Sequence, residues 1–142
     1  MHNQLSVVII SKNEEKFIAD AVKSALFADE VLVLDSGSTD STCAVAQQLG
    51  AKVLHQDWLG FGAQKNKAVE LAKNDWVFVL DSDERITPEL QSEILNILQE
   101  STVDGYYVAR LNNFFGKNIR HCGLYPDYSI RLFDRCKGRF ND

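Results

Sequence analysis

Leu5-Ser6-Val7-Val8-Ile9-Ile10, followed at once by Ser11-Lys12-Asn13-Glu14-Glu15, is the stretch on which the fold turns. Its first six residues are largely β-branched and apolar without alternation, the pattern of a strand buried on both faces of a parallel sheet. A helix is predicted next. Asn13 is placed to cap it, Glu14 and Glu15 suit the positive end of its dipole, and Phe17, Ile18, Ala21, Val22 and Ala25 make one apolar stripe. The same alternation then recurs. Val31 to Leu34 reads as a second strand, Asp40 to Leu49 as a helix closed by Gly50, Lys52 to His55 as a third strand, Gln64 to Lys73 as a helix and Trp76 to Leu80 as a fourth strand. Thr87 caps a further helix, with Pro88 at its first position and Leu90, Ile94, Ile97 and Leu98 facing inward. Strand starts separated by the length of a crossover predict an α/β fold, an open and mostly parallel sheet with helices on both faces. Beyond Gly105 the rhythm changes: Tyr106 to Leu111 reads as a strand amid aromatic, loop-like sequence.

Composition agrees with this. The chain has 142 residues, 45% hydrophobic and 25% charged, with eight Gly and two Pro, which fits one ordinary globular domain and excludes disordered, collagenous and low-complexity classes. Its longest apolar runs, such as Val7 to Ile10 and Trp76 to Leu80, fall far short of the roughly 20 residues that cross a bilayer. Met1-His2-Asn3-Gln4 lacks the basic start and apolar stretch of a signal peptide, so cytoplasmic residence is expected. Cys43, Cys122 and Cys136 are an odd number without a C-x-x-C pair and read as free thiols. The net charge of -5 is unevenly spread. Residues 1–103 hold 8 Lys+Arg against 16 Asp+Glu, a net of -8, whereas residues 104–142 hold 7 against 4, a net of +3. A local excess of this kind suits an anionic partner or a membrane surface, and equally an ordinary solvated face.

In open parallel sheets ligands bind outside the carboxyl ends of the strands. That rule selects Ser11 to Glu14, Asp35 to Asp40 and Asp81 to Glu84, and predicts that all three lie on one edge. Asp81-Ser82-Asp83-Glu84 puts three carboxylates in four residues, which repel one another unless a cation or protons offset the charge. Mg²⁺ or Mn²⁺ takes one or two carboxylates and completes its shell with water and phosphate oxygens, so a diphosphate ligand follows; a solvated acidic turn that caps the next helix is the alternative. Asp35-Ser36-Gly37-Ser38-Thr39-Asp40 is both ordinary turn chemistry and a set of backbone N–H groups and an acid placed to meet a ribose or a base. Neither a G-x-G-x-x-G after the first strand nor a G-x-x-x-x-G-K-[ST] is present, so dinucleotide-binding and P-loop readings lack their phosphate cradle.

Leu5 to Glu15, Asp35 to Thr42, Gly60-Phe61-Gly62-Ala63-Gln64-Lys65-Asn66 and Leu80 to Glu84, in this order and spacing, resemble family 2 glycosyltransferases. Lys12 to Glu15, Asp35 to Asp40, Asp57-Trp58 and Tyr125 to Phe133 look closest to the bacterial lipopolysaccharide core glucosyltransferases. The resemblance implies the GT-A form of a Rossmann-like sheet, with residues 1–103 as the nucleotide-sugar-binding half and residues 104–142 as the start of the acceptor side. It implies that Ser11 and Glu14 line the nucleotide pocket, Asp35 contacts the nucleoside, Lys65 stands near the base or phosphates, Asp81 reaches the ribose or metal and Asp83 coordinates the divalent ion. Many relatives have Asp-Asp-Gly-Ser where this chain has Asp35-Ser36-Gly37-Ser38, and the second acid of that motif often reads uracil.

The implied activity is transfer of a sugar, glucose for this branch, from a UDP-type nucleotide-diphosphate sugar to a lipopolysaccharide core or other anionic glycan, with inversion. Peripheral contact with the inner membrane, and no nucleic-acid partner, go with it. Inversion needs a base for the acceptor hydroxyl. Asp127 is the internal candidate, although Tyr125-Pro126-Asp127 also reads as a plain turn; relatives are longer, and a base beyond Asp142 is preferred. Two rivals remain open on sequence alone. One is a haloacid-dehalogenase-like phosphatase with Asp81 as nucleophile and Asp83 as acid and base, and the other is a non-catalytic nucleotide-sugar-binding fragment.

Overall fold

Each apolar run becomes a strand and each amphipathic stretch a helix that returns the chain to the same sheet. In the computed structural model, which describes residues 3–100, 105–107 and 130–135, the order is β1 (Leu5–Ser11), α1 (Ile18–Ala25), β2 (Glu30–Asp35), α2 (Thr42–Gln48), β3 (Lys52–His55), α3 (Phe61–Leu71), β4 (Trp76–Asp81), α4 (Pro88–Glu100), β5 (Gly105–Tyr107) and β6 (Ile130–Asp134). The sheet runs β3-β2-β1-β4-β6-β5. Its first four strands are parallel, β6 lies antiparallel to β4, and β5 antiparallel to β6.

Two apolar cores follow from the alternation of side chains along each strand. Leu5, Val7 and Ile9 share one face with Val31, Val33, Phe78 and Leu80, under Ile18, Ala21, Val22 and Ala25 of α1, Ala46 of α2 and Leu90, Ile94 and Leu98 of α4. Val8, Leu32, Leu34, Val77 and Val79 share the other, under Ala68 and Val69 of α3 and the adjoining Ala72. Among the described residues, helices thus cover both faces, three against one. Burying each large side chain here contributes about 1.5 to 3 kcal/mol, which is why the unbroken apolar runs of β1, β2 and β4 specify central strands.

Several boundaries differ from the sequence pattern. The first helix starts at Ile18, with Phe17 at its N-cap position and no side-chain cap. Asn13 instead has φ 53°, in the left-handed region, and Phe17 is 50% exposed, outside the buried stripe. The reason is that residues 13–15 are drawn into bonds with the segment after β2, described below. The second helix begins at Thr42 rather than Asp40 and ends as predicted, with Gly50 at φ 103° and the Gly50 and Ala51 N–H groups bonded to the Gln47 and Ala46 carbonyls. The third begins three residues early, at Phe61 after Gly60, and ends at Leu71. Thr87 caps α4 as predicted, its Oγ1 accepting from the Leu90 N–H at 3.2 Å.

Arg135, just past β6, closes the C-terminal end of α3. Its Nη1 donates to the carbonyls of Val69 (3.0 Å), Glu70 (3.4 Å) and Ala72, and its Nε lies 3.4 Å from Asp75 Oδ1. The last carbonyls of a helix lack intrahelical partners, so a cation there is stabilising. Its charge is therefore engaged within the fold. Because β5 and β6 extend the sheet beside β4, the described part of the chain beyond residue 103 builds onto the same sheet.

Candidate functional site

Strand register sets the site. Ser11 pairs with Asp35 across β1 and β2, Ile10 with Asp81 across β1 and β4, and Asp35 with His55 across β2 and β3. The carboxyl ends of four parallel strands are therefore flush. Asp35 and Asp81 flank β1 on either side, each one inter-strand spacing of about 4.8 Å away. All three segments selected from the sequence stand on this edge, and the strand order turns back between β1 and β4, where such folds bind ligands.

The loops after β1 and β2 are bonded to each other along their length. Asp35, 3% exposed, accepts from Ser11 Oγ (2.8 Å), Gly37 N–H (2.9 Å), Ser38 N–H (2.7 Å) and Ser38 Oγ (2.6 Å). Ser38 Oγ accepts from the Asn13 N–H at 2.7 Å, and Asn13 Oδ1 accepts from the Thr39 N–H at 2.8 Å. Thr42 Oγ1 accepts from the Glu14 N–H at 2.8 Å, and Glu15 Oε1 from the Ser41 N–H at 3.0 Å. A carboxylate has about four acceptor positions, and the chain itself fills those of Asp35. The carboxylate of Asp35, which the resemblance assigned to the nucleoside, holds the turn at the strand-end edge, with Ser11 as its buried partner.

Burial works most strongly against the ionised form of Asp35, but the bonds from Ser38, Ser11 and Gly37 together outweigh it and hold the carboxyl below its ordinary value. The Thr42 hydroxyl does the same for exposed Asp40. Burial first, and then the charge of Asp35 with a bond to it, pushes the Cys43 thiol up, so this free cysteine stays protonated.

After β4 the acidic run divides by role. Glu84, 6% exposed, turns back so that Oε1 accepts from the Asp81 N–H at 2.9 Å, while its own N–H donates to the Asp81 carbonyl at 3.0 Å. Ser82 Oγ donates to Glu14 Oε2 at 2.9 Å, joining the β4 turn to the loop after β1. Asp81 and Asp83 stay half-buried at the edge. No group of three or more His, Cys, Asp or Glu that could hold a metal occurs among the described residues. Two hard carboxylate donors nonetheless fit Mg²⁺ or Mn²⁺, which keep most of their octahedral shell for water and phosphate oxygens. Asp81 and Asp83 are the residues that would hold such an ion.

Lys65 lies half-buried in the second turn of α3. Next to it Gln64 is fully buried, and its amide fixes the loop before the helix: Oε1 accepts from the Leu59 N–H (3.1 Å) and Nε2 donates to the Gln56 carbonyl (3.1 Å). Gln56 in turn donates its N–H to the Asp35 carbonyl at 2.9 Å. Sequence reasoning missed Gln64 and the holding role of Glu84, because a polar residue at a helix start or in an acidic run carries no sign that it is buried. The candidate base Asp127 lies outside the described residues.

Comparison with known proteins decides the family, since the model of Glycosyl transferase family 2 matches residues 6–137. The chain belongs to glycosyl transferase family 2. It is 47% identical over 139 residues to an uncharacterized glycosyltransferase of Rickettsia felis, a match covering 97% of this chain and 48% of the relative. It is 31% identical over 143 residues to the lipopolysaccharide core biosynthesis glycosyltransferase LpsC of Rhizobium meliloti, covering 96% and 53%. The chain thus spans about half the length of the curated relatives it matches. Among solved structures, residues 1–349 of Staphylococcus aureus TarS in complex with UDP are 29% identical, with a TM-score of 0.56 over 66% of this chain and 32% of that one. Glucosyl-3-phosphoglycerate synthase of Mycobacterium tuberculosis is 24% identical, with a TM-score of 0.66 over 94% of this chain and 57% of that one, and shares the fold. The family 2 assignment sets aside the phosphatase reading, and the sheet has the GT-A architecture that the sequence resemblance implied.

Proposed function

We propose that this chain carries the donor side of a family 2 glycosyltransferase that moves a sugar, glucose in our reading, from a UDP-sugar to a lipopolysaccharide core or related anionic glycan, with inversion and with Mg²⁺ or Mn²⁺. The observation that carries the donor reading is the flush strand-end edge, where Asp81 and Asp83 stand half-buried beside two loops already bonded into one surface. TarS, solved with UDP, supports uridine as the base. LpsC supports the acceptor class, together with the net charge of +3 beyond residue 103, which suits peripheral contact with an anionic membrane.

In the reaction an acceptor hydroxyl oxygen bonds to the anomeric carbon, the anomeric carbon–oxygen bond to the diphosphate breaks, and its electron pair leaves with the diphosphate. A bound divalent ion would supply positive charge to offset that of the leaving diphosphate, an effect greater in the transition state than in the ground state. Asp83 would hold the ion, Asp81 would reach the ribose or the ion, and Lys65 adds a positive charge near the nucleoside or phosphates. Ser11 at the end of β1 and Glu14 in the loop after it shape the pocket, and Asp35 stands on the nucleoside side, where it also keeps the neighbouring turn in place. The acceptor's proton passes to a base, for which Asp127 is the residue of this chain that we nominate.

Titration calorimetry of UDP with and without Mn²⁺ tests the donor reading. Binding is expected only with the metal, and Asp83→Ala is expected to weaken it roughly ten- to hundredfold, since losing a partner of a charged group costs about 1.5 to 3 kcal/mol. The fold should survive, because Asp83 is not a core side chain. Equal affinity in metal-free buffer, or in the variant, would overturn the assignment.

A further inference from the structure

We propose that Asn13 is a positioning residue for the nucleotide, welding the loops after β1 and β2 into one preformed seat; this rests on the reading that the strand-end edge binds a nucleoside diphosphate. Among the described residues Asn13 alone combines a non-glycine side chain with positive φ, at 53°. Nothing packs it there, since it is exposed. What holds it is bonding to residues 25 and 26 positions away. Its N–H donates to Ser38 Oγ at 2.7 Å, and its Oδ1 accepts from the Thr39 N–H at 2.8 Å and the Thr39 hydroxyl at 3.4 Å. Ser38 Oγ donates onward to Asp35 Oδ1, the same oxygen that accepts from Ser11 Oγ. Ser11, Asp35, Ser38 and Asn13 therefore close a ring across two loops, with Lys12 carried between two pinned neighbours. An uncommon backbone conformation persists where its surroundings over-determine it, and here they do so at the mouth of the candidate site.

Only certain residues can take this place. Glycine supplies the left-handed backbone without the acceptor, alanine supplies neither, and aspartate supplies both. Two separate loops would each have to be ordered when a ligand binds, whereas welded loops avoid much of that cost. The contribution of Asn13 therefore falls on affinity for nucleotide.

The test uses Asn13→Gly, Asn13→Ala and Asn13→Asp in the 142-residue chain, with amide hydrogen exchange at Thr39 and calorimetry of UDP in Mn²⁺. Asn13→Gly and Asn13→Ala are expected to lower Thr39 protection and to weaken UDP binding about five- to tenfold, as loss of one hydrogen bond implies, with protection in β1 and β2 unchanged. Asn13→Asp is expected to restore Thr39 protection. If Asn13→Gly loses that protection yet binds UDP like the parent, the positioning role is wrong and the nucleotide reading stands. Unchanged Thr39 protection in Asn13→Gly, or none regained in Asn13→Asp, overturns the part given to the side chain. A parent chain that binds no UDP in Mn²⁺ overturns both readings.

Discussion

A buried carboxylate such as Asp35 stays ionised because four donors face it, and this has a consequence for pH. Its folded pKa is held below the unfolded value, so its contribution to stability is complete above the unfolded pKa of about 3.9 and is lost as pH falls through the folded one. Thermal unfolding followed from about pH 6 down to pH 2.5 should show a declining midpoint below about pH 4 in the parent. Asp35→Asn should start lower, because an amide nitrogen would face N–H donors, and should decline less steeply over the same window. Parallel curves would mean that Asp35 does not carry the acid sensitivity. As a strand-end acid, Asp35 was legible from the sequence. Its bond to Ser11 was not, because Ser11 lies 24 residues away and no local pattern reports a bond across that separation.

At the scale of elements, strands were read more faithfully than helix starts, and the physics explains the difference. A strand here is defined by unbroken apolar burial, which composition displays directly. A helix start is defined by where its first N–H groups find partners, and tertiary bonds can supply or withdraw them. Asn13 resembled an N-cap, but its amide oxygen went to Thr39, leaving α1 to begin at Ile18. The start of α3 was obscured by Gly60, whose φ of 101° and ψ of 159° suit glycine almost alone, and by Gln64, which holds the preceding loop from inside the helix. Gln64→Leu keeps most of the volume but leaves the Leu59 N–H and the Gln56 carbonyl without that partner. Urea unfolding should show a loss of about 1 to 3 kcal/mol with the denaturant slope unchanged. An unaltered midpoint would show that water replaces the amide at no cost.

Over the whole molecule, charge and topology divide along the same line. The strand-end edge of the parallel half carries Asp35, Asp81 and Asp83 within a segment of net charge -8, while the sequence beyond residue 103 carries +3 and returns as β6 directly beside β4, the strand that ends in Asp81. Of the cations beyond residue 103, Arg135 is engaged by the end of α3, so the proposed recognition of an anionic glycolipid would rest on Arg110, Lys117, Arg120, Arg131, Lys137 and Arg139. Guanidinium groups bind phosphate bidentately, which favours a phosphorylated acceptor over a neutral one. Co-sedimentation with lipopolysaccharide-containing vesicles should therefore be strong at low salt and fade as ionic strength passes about 0.1 M, where screening sets in over about 10 Å. Replacing Lys117 and Arg120 by Gln should reduce pelleting at low salt. Equal pelleting by neutral vesicles, or none at low salt, would leave the basic segment as an ordinary solvated surface and return the acceptor to an uncharged glycan.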